Sequence, residues 1–237
     1  MDIAKWNKTS RNAYVGTLLY SLLGILATIL AVILAVVLAA SLFGKLEAGG
    51  VIVLILFIIT ELAVLFGYLI FFVAIKNFKN ITEGEDKSAF NLLWIAVICT
   101  LVSTVLGFFV LSSVCSVLVK LLGIASAVLM IIGFAKLKSS ATMAAFSAPA
   151  VAGFRQLFTA QILAIVAVVL GWIPFVGGIF SGILSILVFI FTILGWKKVA
   201  TPVGDQSEAP KPFFENIKEV VVDSCKDGVA SIQGMGK

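Results

Sequence analysis

Four long, almost charge-free stretches, residues 14–42, 51–75, 89–137 and 156–196, decide what this chain can fold into. A helix of about 20 apolar residues crosses a bilayer core about 30 Å thick. Only helices and closed barrels carry a backbone through lipid, because each N–H and C=O must find its partner inside the protein. The first two stretches suit one crossing each. The last two are about twice that length, so each is expected to hold two crossings around a turn. In the fourth, Trp172-Ile173-Pro174-Phe175-Val176-Gly177-Gly178 supplies the reversal, since proline cannot continue the hydrogen-bond ladder and a glycine pair tolerates positive φ. In the third, the polar cluster Ser112-Ser113-Val114-Cys115-Ser116, followed by Lys120, is the weakest point, and a lysine near a helix end can reach water.

The resulting spans are about 14–42, 51–75, 89–111, 117–137, 156–173 and 175–196. With six crossings, fifteen of the 17 lysines and arginines fall on one face, and Lys45 and Lys120 alone fall on the other. Fusing either long stretch into one span would scatter the positive charge over both faces. The sorting predicts an all-α polytopic membrane protein of three helical hairpins with both termini cytoplasmic. It divides into an N-terminal segment 1–12, a transmembrane domain 13–198 and a cytoplasmic tail 199–237. Trp94 and Trp196 near the inner ends and Trp172 near an outer end fit aromatic anchoring at the interfaces. The first apolar run follows Lys5, Lys8 and Arg11 like a signal peptide, but it exceeds the h-region length of about 7–15 residues. The sequons Asn7-Lys8-Thr9 and Asn80-Ile81-Thr82 fall on the predicted cytoplasmic side, where no glycan is added.

The chain is 61% hydrophobic and 12% charged, whereas soluble domains carry about a quarter charged residues. Histidine is absent, which removes the commonest general base and metal ligand together. Cys99, Cys115 and Cys225 show no metal-binding or disulfide spacing. No catalytic, cofactor-binding or metal site is expected, and the chain is not read as an enzyme. Its net charge of +5 lies in short segments between spans rather than along one face, so nucleic acid is not an expected partner. The expected partners are the lipid bilayer and either another protein or a second copy of the chain.

The second and third hairpins share a cadence. Val105-Leu106-Gly107-Phe108 leads to Ile132-Gly133-Phe134-Ala135-Lys136, and Val169-Leu170-Gly171-Trp172 leads to Leu194-Gly195-Trp196-Lys197. Repeats of two spans each would share one orientation. The plainer alternative is that any hairpin ends in aromatics and lysine at the inner interface. The last pair, from Gly171 through Ile173-Pro174-Phe175-Val176-Gly177 to Trp196-Lys197-Lys198, resembles a hairpin in small bacterial and archaeal multispan families of unknown function. That resemblance implies a prokaryotic cell membrane, here the bacterial inner membrane, and no activity.

Three features could carry function. Glu61 is a carboxylate near mid-span, where burial is costly unless the group is paired or protonated. It reads either as a proton or cation site or as a protonated side chain that glues helices, with Thr60, Tyr68, Thr100, Ser103 and Thr104 as candidate solvating hydroxyls. Ala27, Ala31, Ala35 and Ala39 form a small-residue strip on the first span, and Gly178 and Gly182, with Gly177, Ser181 and Ser185, form another on the sixth. Such strips let backbones approach closely, within the chain or between two protomers. Beyond a proline-bearing linker, Phe213, Phe214, Ile217, Val220 and Val221 make one face of a short amphipathic helix. That face is expected to cover a partner, the membrane surface or the protein's own loops. Loop 77–88 reads as a solvated turn, and loop 139–153 as a connector or a short interfacial helix. Together these favour a structural or accessory membrane subunit; the alternative is a small transporter or ion conductor using Glu61.

Overall fold

A computed structural model of the chain describes residues 1–41, 48–107, 113–171, 173, 176–204, 219–222 and 226. The helices run in the order α1 (Ile3–Ser41), α2 (Ala48–Ile81), α3 (Gly84–Gly107), α4 (Ser113–Lys138), α5 (Ala141–Phe146), α6 (Ala148–Gly171) and α7 (Val176–Val199). All but α5 are long and apolar enough to cross a membrane, and no strand occurs among the described residues. The chain is therefore a multi-pass, all-helical membrane protein. Both long apolar stretches divide into two helices, but not at the expected residues throughout. Helix α3 ends at Gly107 and α4 begins at Ser113, so residues 113–116, expected in the turn, form the first turn of α4. Gly177 and Gly178, expected in the second reversal, already belong to α7.

Each long helix packs on the next, α1 on α2, α2 on α3, α3 on α4, α4 on α6 and α6 on α7, and α7 returns to α1 to close a ring. Contact is extensive within the hairpins α1–α2, α3–α4 and α6–α7 and thinner between them. One end of the ring, called here the lysine-rich end, carries the starts of α1, α3 and α6 and the ends of α2, α4 and α7. The other is the far end.

At the lysine-rich end the helices extend past the apolar runs because local caps hold them. Asp2 caps α1, its Oδ1 accepting the Lys5 N–H at 3.2 Å and its carbonyl the Trp6 N–H at 2.9 Å. The Lys5 amide holds the Asp2 carboxyl below its ordinary pKa. The expected loop at 77–88 is instead a tight link. Helix α2 continues to Ile81 and α3 starts at Gly84, whose φ of 57° glycine adopts without strain. Glu85 and Asp86 in the first turn of α3 complement its dipole. Segment 139–153 is helical for the same kind of reason. Ser140 Oγ accepts the Met143 N–H at 3.0 Å to start α5, and Ser147 Oγ accepts the Ala150 N–H at 3.2 Å to start α6.

The core gathers at the lysine-rich end as a continuous aromatic cluster. Trp6 meets Phe78 at 4.8 Å and Phe146 at 5.3 Å between ring centroids, and Phe78 stacks on Phe90 at 4.8 Å. Phe90 stands edge-on to Phe154 at 6.0 Å, and Trp196 meets Phe71 at 5.3 Å and Phe134 at 6.3 Å. Trp196, expected at the interface, is thus an interior residue, 1% exposed. Trp94 stays half-buried, with Lys79 Nζ 4.4 Å from its ring centroid. Elsewhere large apolar side chains point outward around the ring, among them Val36, Leu62, Ile124, Val168 and Ile186. A soluble monomer does not tolerate so much exposed apolar surface, whereas a lipid-facing wall requires it.

Glycines let the hairpin backbones touch. A Cβ on Gly16 would stand 2.7 Å from Phe71 N, and one on Gly67 would stand 2.8 Å from Tyr20 N. A Cβ on Gly153 would stand 2.5 Å from the Gly195 carbonyl oxygen. Gly133 and Gly195 each receive a leucine of the partner helix, Leu93 and Leu157, whose nearest atoms would lie 2.7 Å from the added Cβ. The strips expected from the sequence lie only partly on these seams. Ala27 is buried and Ala31 half-buried, but Ala35 and Ala39 are exposed. Helix α1 has 39 residues, or about 58 Å at about 1.5 Å per residue, so its last turns outreach shorter neighbours such as α3. Gly178 and Gly182 are exposed, with nothing among the described residues within 4 Å of an added Cβ. They are out of phase with Gly177 and Ser181, which face α6 at Leu170 and Gly171.

Polar contacts join α3 to α4. Ser126 Oγ donates to the Ala96 carbonyl at 2.9 Å and lies 2.7 Å from Thr100 Oγ1, while Ser103 donates to the Val119 carbonyl at 3.2 Å. Ser126→Ala is expected to lower stability by about 0.6–1.7 kcal/mol, the range for interhelical hydrogen bonds in bilayers. A reversible denaturation curve of the purified protein in lipid-detergent micelles measures it.

Candidate functional site

Side chains from all six long helices meet around one cavity of about 350 Å³. Its floor, toward the lysine-rich end, is Phe71, Ile75, Leu93, Phe134, Leu157 and Trp196, the upper surface of the aromatic cluster. Its polar groups are Tyr20 and Ser21 of α1, Tyr68 of α2, Thr100 of α3, Gln161 of α6, and Ser185 and Thr192 of α7. Helical periodicity explains why they converge. On α7, Ser185, Val188, Thr192 and Trp196 recur at three- and four-residue steps, and on α4 and α6 the pairs Met130 with Phe134 and Leu157 with Gln161 do the same. The α3–α4 and α6–α7 hairpins contribute in parallel, Leu93, Val97, Met130 and Phe134 from one and Leu157, Gln161, Thr192 and Trp196 from the other.

Among the described residues, no Asp, Glu, Lys or Arg lines this cavity. Three of its hydroxyls donate to carbonyls within the bundle. Tyr68 donates to the Val97 carbonyl at 3.0 Å, Thr100 to the Ala96 carbonyl at 3.1 Å, and Ser185 to the Ser181 carbonyl at 2.8 Å. Gln161 and Thr192 make no side-chain hydrogen bond among the described residues, which leaves two amide N–H donors, one amide oxygen and one hydroxyl uncommitted. Both side chains are half-buried, and water or a ligand in the cavity can complete their hydrogen bonding. The arrangement can hold a neutral molecule with a polar edge; it offers no counter-charge to an ion.

Glu61 does not join that cavity. It lies half-buried in a separate cleft of about 330 Å³ between α2 and α3, walled by Phe57, Ile58, Leu62, Val64, Leu65, Leu101 and Val105. Of the five hydroxyls expected to solvate it, Tyr68 and Thr104 line the cleft. Both are committed as donors, Tyr68 to Val97 and Thr104 to the Thr100 carbonyl at 2.9 Å. Thr60 donates to the Leu56 carbonyl of its own helix at 2.8 Å, while Thr100 and Ser103 serve the α3–α4 seam. Among the described residues no donor reaches the Glu61 carboxyl.

In the tail, Phe213, Phe214 and Ile217 lie outside the described residues. Val220 is fully buried against Val15 and Ile70, and Val221 packs beside it, so this part of the apolar face lies on the first hairpin. Arg11 Nη1 meets Glu219 Oε2 at 3.4 Å over the same contact. Asn7 and Val203 pair through two hydrogen bonds, Asn7 Nδ2 to the Val203 carbonyl at 3.1 Å and Val203 N–H to Asn7 Oδ1 at 3.0 Å, tying the end of α7 to the start of α1.

Sequence reasoning missed Gln161 and Thr192. The signal was present as the one polar-and-aromatic face of α7 running from Ser185 to Trp196, together with an amide on α6 with no charged neighbour. No family model matches the chain, and neither the curated proteins nor the solved structures contain a match.

Proposed function

We propose that the chain is a non-enzymatic membrane protein, a structural or accessory subunit that acts through helix packing and its tail. Both termini lie in the cytoplasm, and the expected setting is a bacterial inner membrane. The observation that carries this reading is the aromatic cluster beneath the six-helix cavity. Phe71, Phe134 and Trp196 close its lysine-rich side, and among the described residues no carboxylate or amine lines it, so these residues offer no charged path from face to face. The matching inward positions of α3–α4 and α6–α7 support a duplicated hairpin. Lipid covers the outer wall, and a protein partner or a second copy is the proposed target of the exposed small-residue faces at Gly178 and Gly182.

One observation favours a second reading, a small transporter or proton conductor: Glu61 faces an apolar cleft in which no donor among the described residues reaches its carboxyl. Flux in proteoliposomes separates the two. The accessory reading expects wild type and Glu61→Gln to pass protons and cations no faster than protein-free liposomes. A pH- or cation-dependent flux that Glu61→Gln abolishes would install the transporter in its place.

A further inference from the structure

We infer that the six-helix cavity binds a neutral, ring-shaped, membrane-soluble molecule carrying hydrogen-bond-accepting oxygens, a compound of the quinone class. The inference does not rest on the accessory reading. Three observations carry it. The volume, about 350 Å³, falls at the lower end of small-molecule sites, which run to about 300–1,000 Å³, and suits a substituted single ring better than a large headgroup. The floor is aromatic, with Trp196, Phe71 and Phe134 offering faces and edges to a flat guest. Above it, Gln161 and Thr192 on the adjacent helices α6 and α7 hold donors that no described residue uses.

Charge narrows the class further. Among the described residues, an anion would meet no lysine or arginine in the cavity and a cation no carboxylate, so either would bury an unpaired charge. A carbonyl oxygen on an uncharged ring accepts from the Gln161 amide or the Thr192 hydroxyl at no such cost. Water alone would satisfy the two polar side chains but gains nothing from the apolar side chains that line the rest of the cavity. Because every wall is a membrane-spanning helix, the guest arrives from the bilayer, and an apolar tail on it can remain among lipid.

Trp196 supplies the readout, since a quinone in contact quenches indole fluorescence. The full chain carrying Trp6→Phe, Trp94→Phe and Trp172→Phe leaves Trp196 as its single tryptophan. Titrated in lipid nanodiscs with decyl-benzoquinone, it should show saturable quenching. Gln161→Leu should weaken the apparent affinity about tenfold, the value of one net hydrogen bond, and the near-isosteric Thr192→Val about threefold. The second variant carries the test if the first does not fold. An excess of decylbenzene, which has the ring and tail but no oxygens, should not displace the quinone. Quenching that rises linearly with quinone in the bilayer, an affinity unchanged in both variants, or displacement by decylbenzene at equal concentration would each overturn the assignment.

Discussion

Gly153→Leu should pry α6 from α7 and cost the protein about 3 kcal/mol or more, a large share of the roughly 5–15 kcal/mol by which a typical domain is stable. The expectation follows from backbone geometry. Even a methyl group at Gly153 would lie 2.5 Å from the Gly195 carbonyl oxygen, 2.7 Å from Val199 Cγ2 and 2.9 Å from Val199 N. Two of those three atoms are backbone, so no rotamer change relieves the collision and α7 has to move. Movement of α7 disturbs both of its ring neighbours, α6 and α1. Gly182→Leu is the matched control. It adds the same side chain to the same hairpin where nothing among the described residues lies within 4 Å, and should change stability by no more than about 0.5 kcal/mol. Denaturation midpoints of the two variants in the same micelle check the pair. Equal losses would mean that the α6–α7 crossing is not where the hairpin is held.

Trp196→Ala should be nearly as damaging, lowering stability by about 3–5 kcal/mol, as expected when a buried aromatic becomes a cavity. The indole belongs to one of two fully buried tryptophans, the largest described side chains in the interior, and touches Phe71 of α2 and Phe134 of α4, so its loss loosens all three hairpins at one point. It also removes part of the cavity floor. Trp196→Phe keeps a flat ring and should recover most of the loss. Thermal melting by circular dichroism ranks the three proteins. A Trp196→Ala melt within 2 °C of wild type, about the shift for 1 kcal/mol or less in a chain of this size, would remove the cluster as the anchor of the ring.

The number and order of helices were legible in the sequence because lipid enforces them. A backbone that cannot hydrogen-bond to its solvent has to be helical over each apolar run, and lysine marks where each run ends. Pro174 marked the link between α6 and α7, whereas the polar cluster at 112–116 marked the other link several residues late, because small polar residues also serve as the first turn of a helix. Three-dimensional closeness was not legible. Nothing in one dimension told the Gly153 and Gly195 contact apart from the open positions at Gly178 and Gly182, since both pairs are small residues on apolar helices. The difference is rotational phase, which only packing reveals. Trp196 misled for a related reason, as a tryptophan beside two lysines reads as an interface anchor until the ring closes over it. Glu61 stood out by charge and Gln161 did not, although it is Gln161 that faces the space shared by all six helices.

The pairing of Asn7 with Val203 bridges 196 residues of chain. A ribosome therefore delivers one half of this clasp almost at the outset and the other only after α7 has left the exit tunnel. Until then the base of α1 lacks this partner, and a nascent chain truncated before residue 203 has all six long helices but not the clasp.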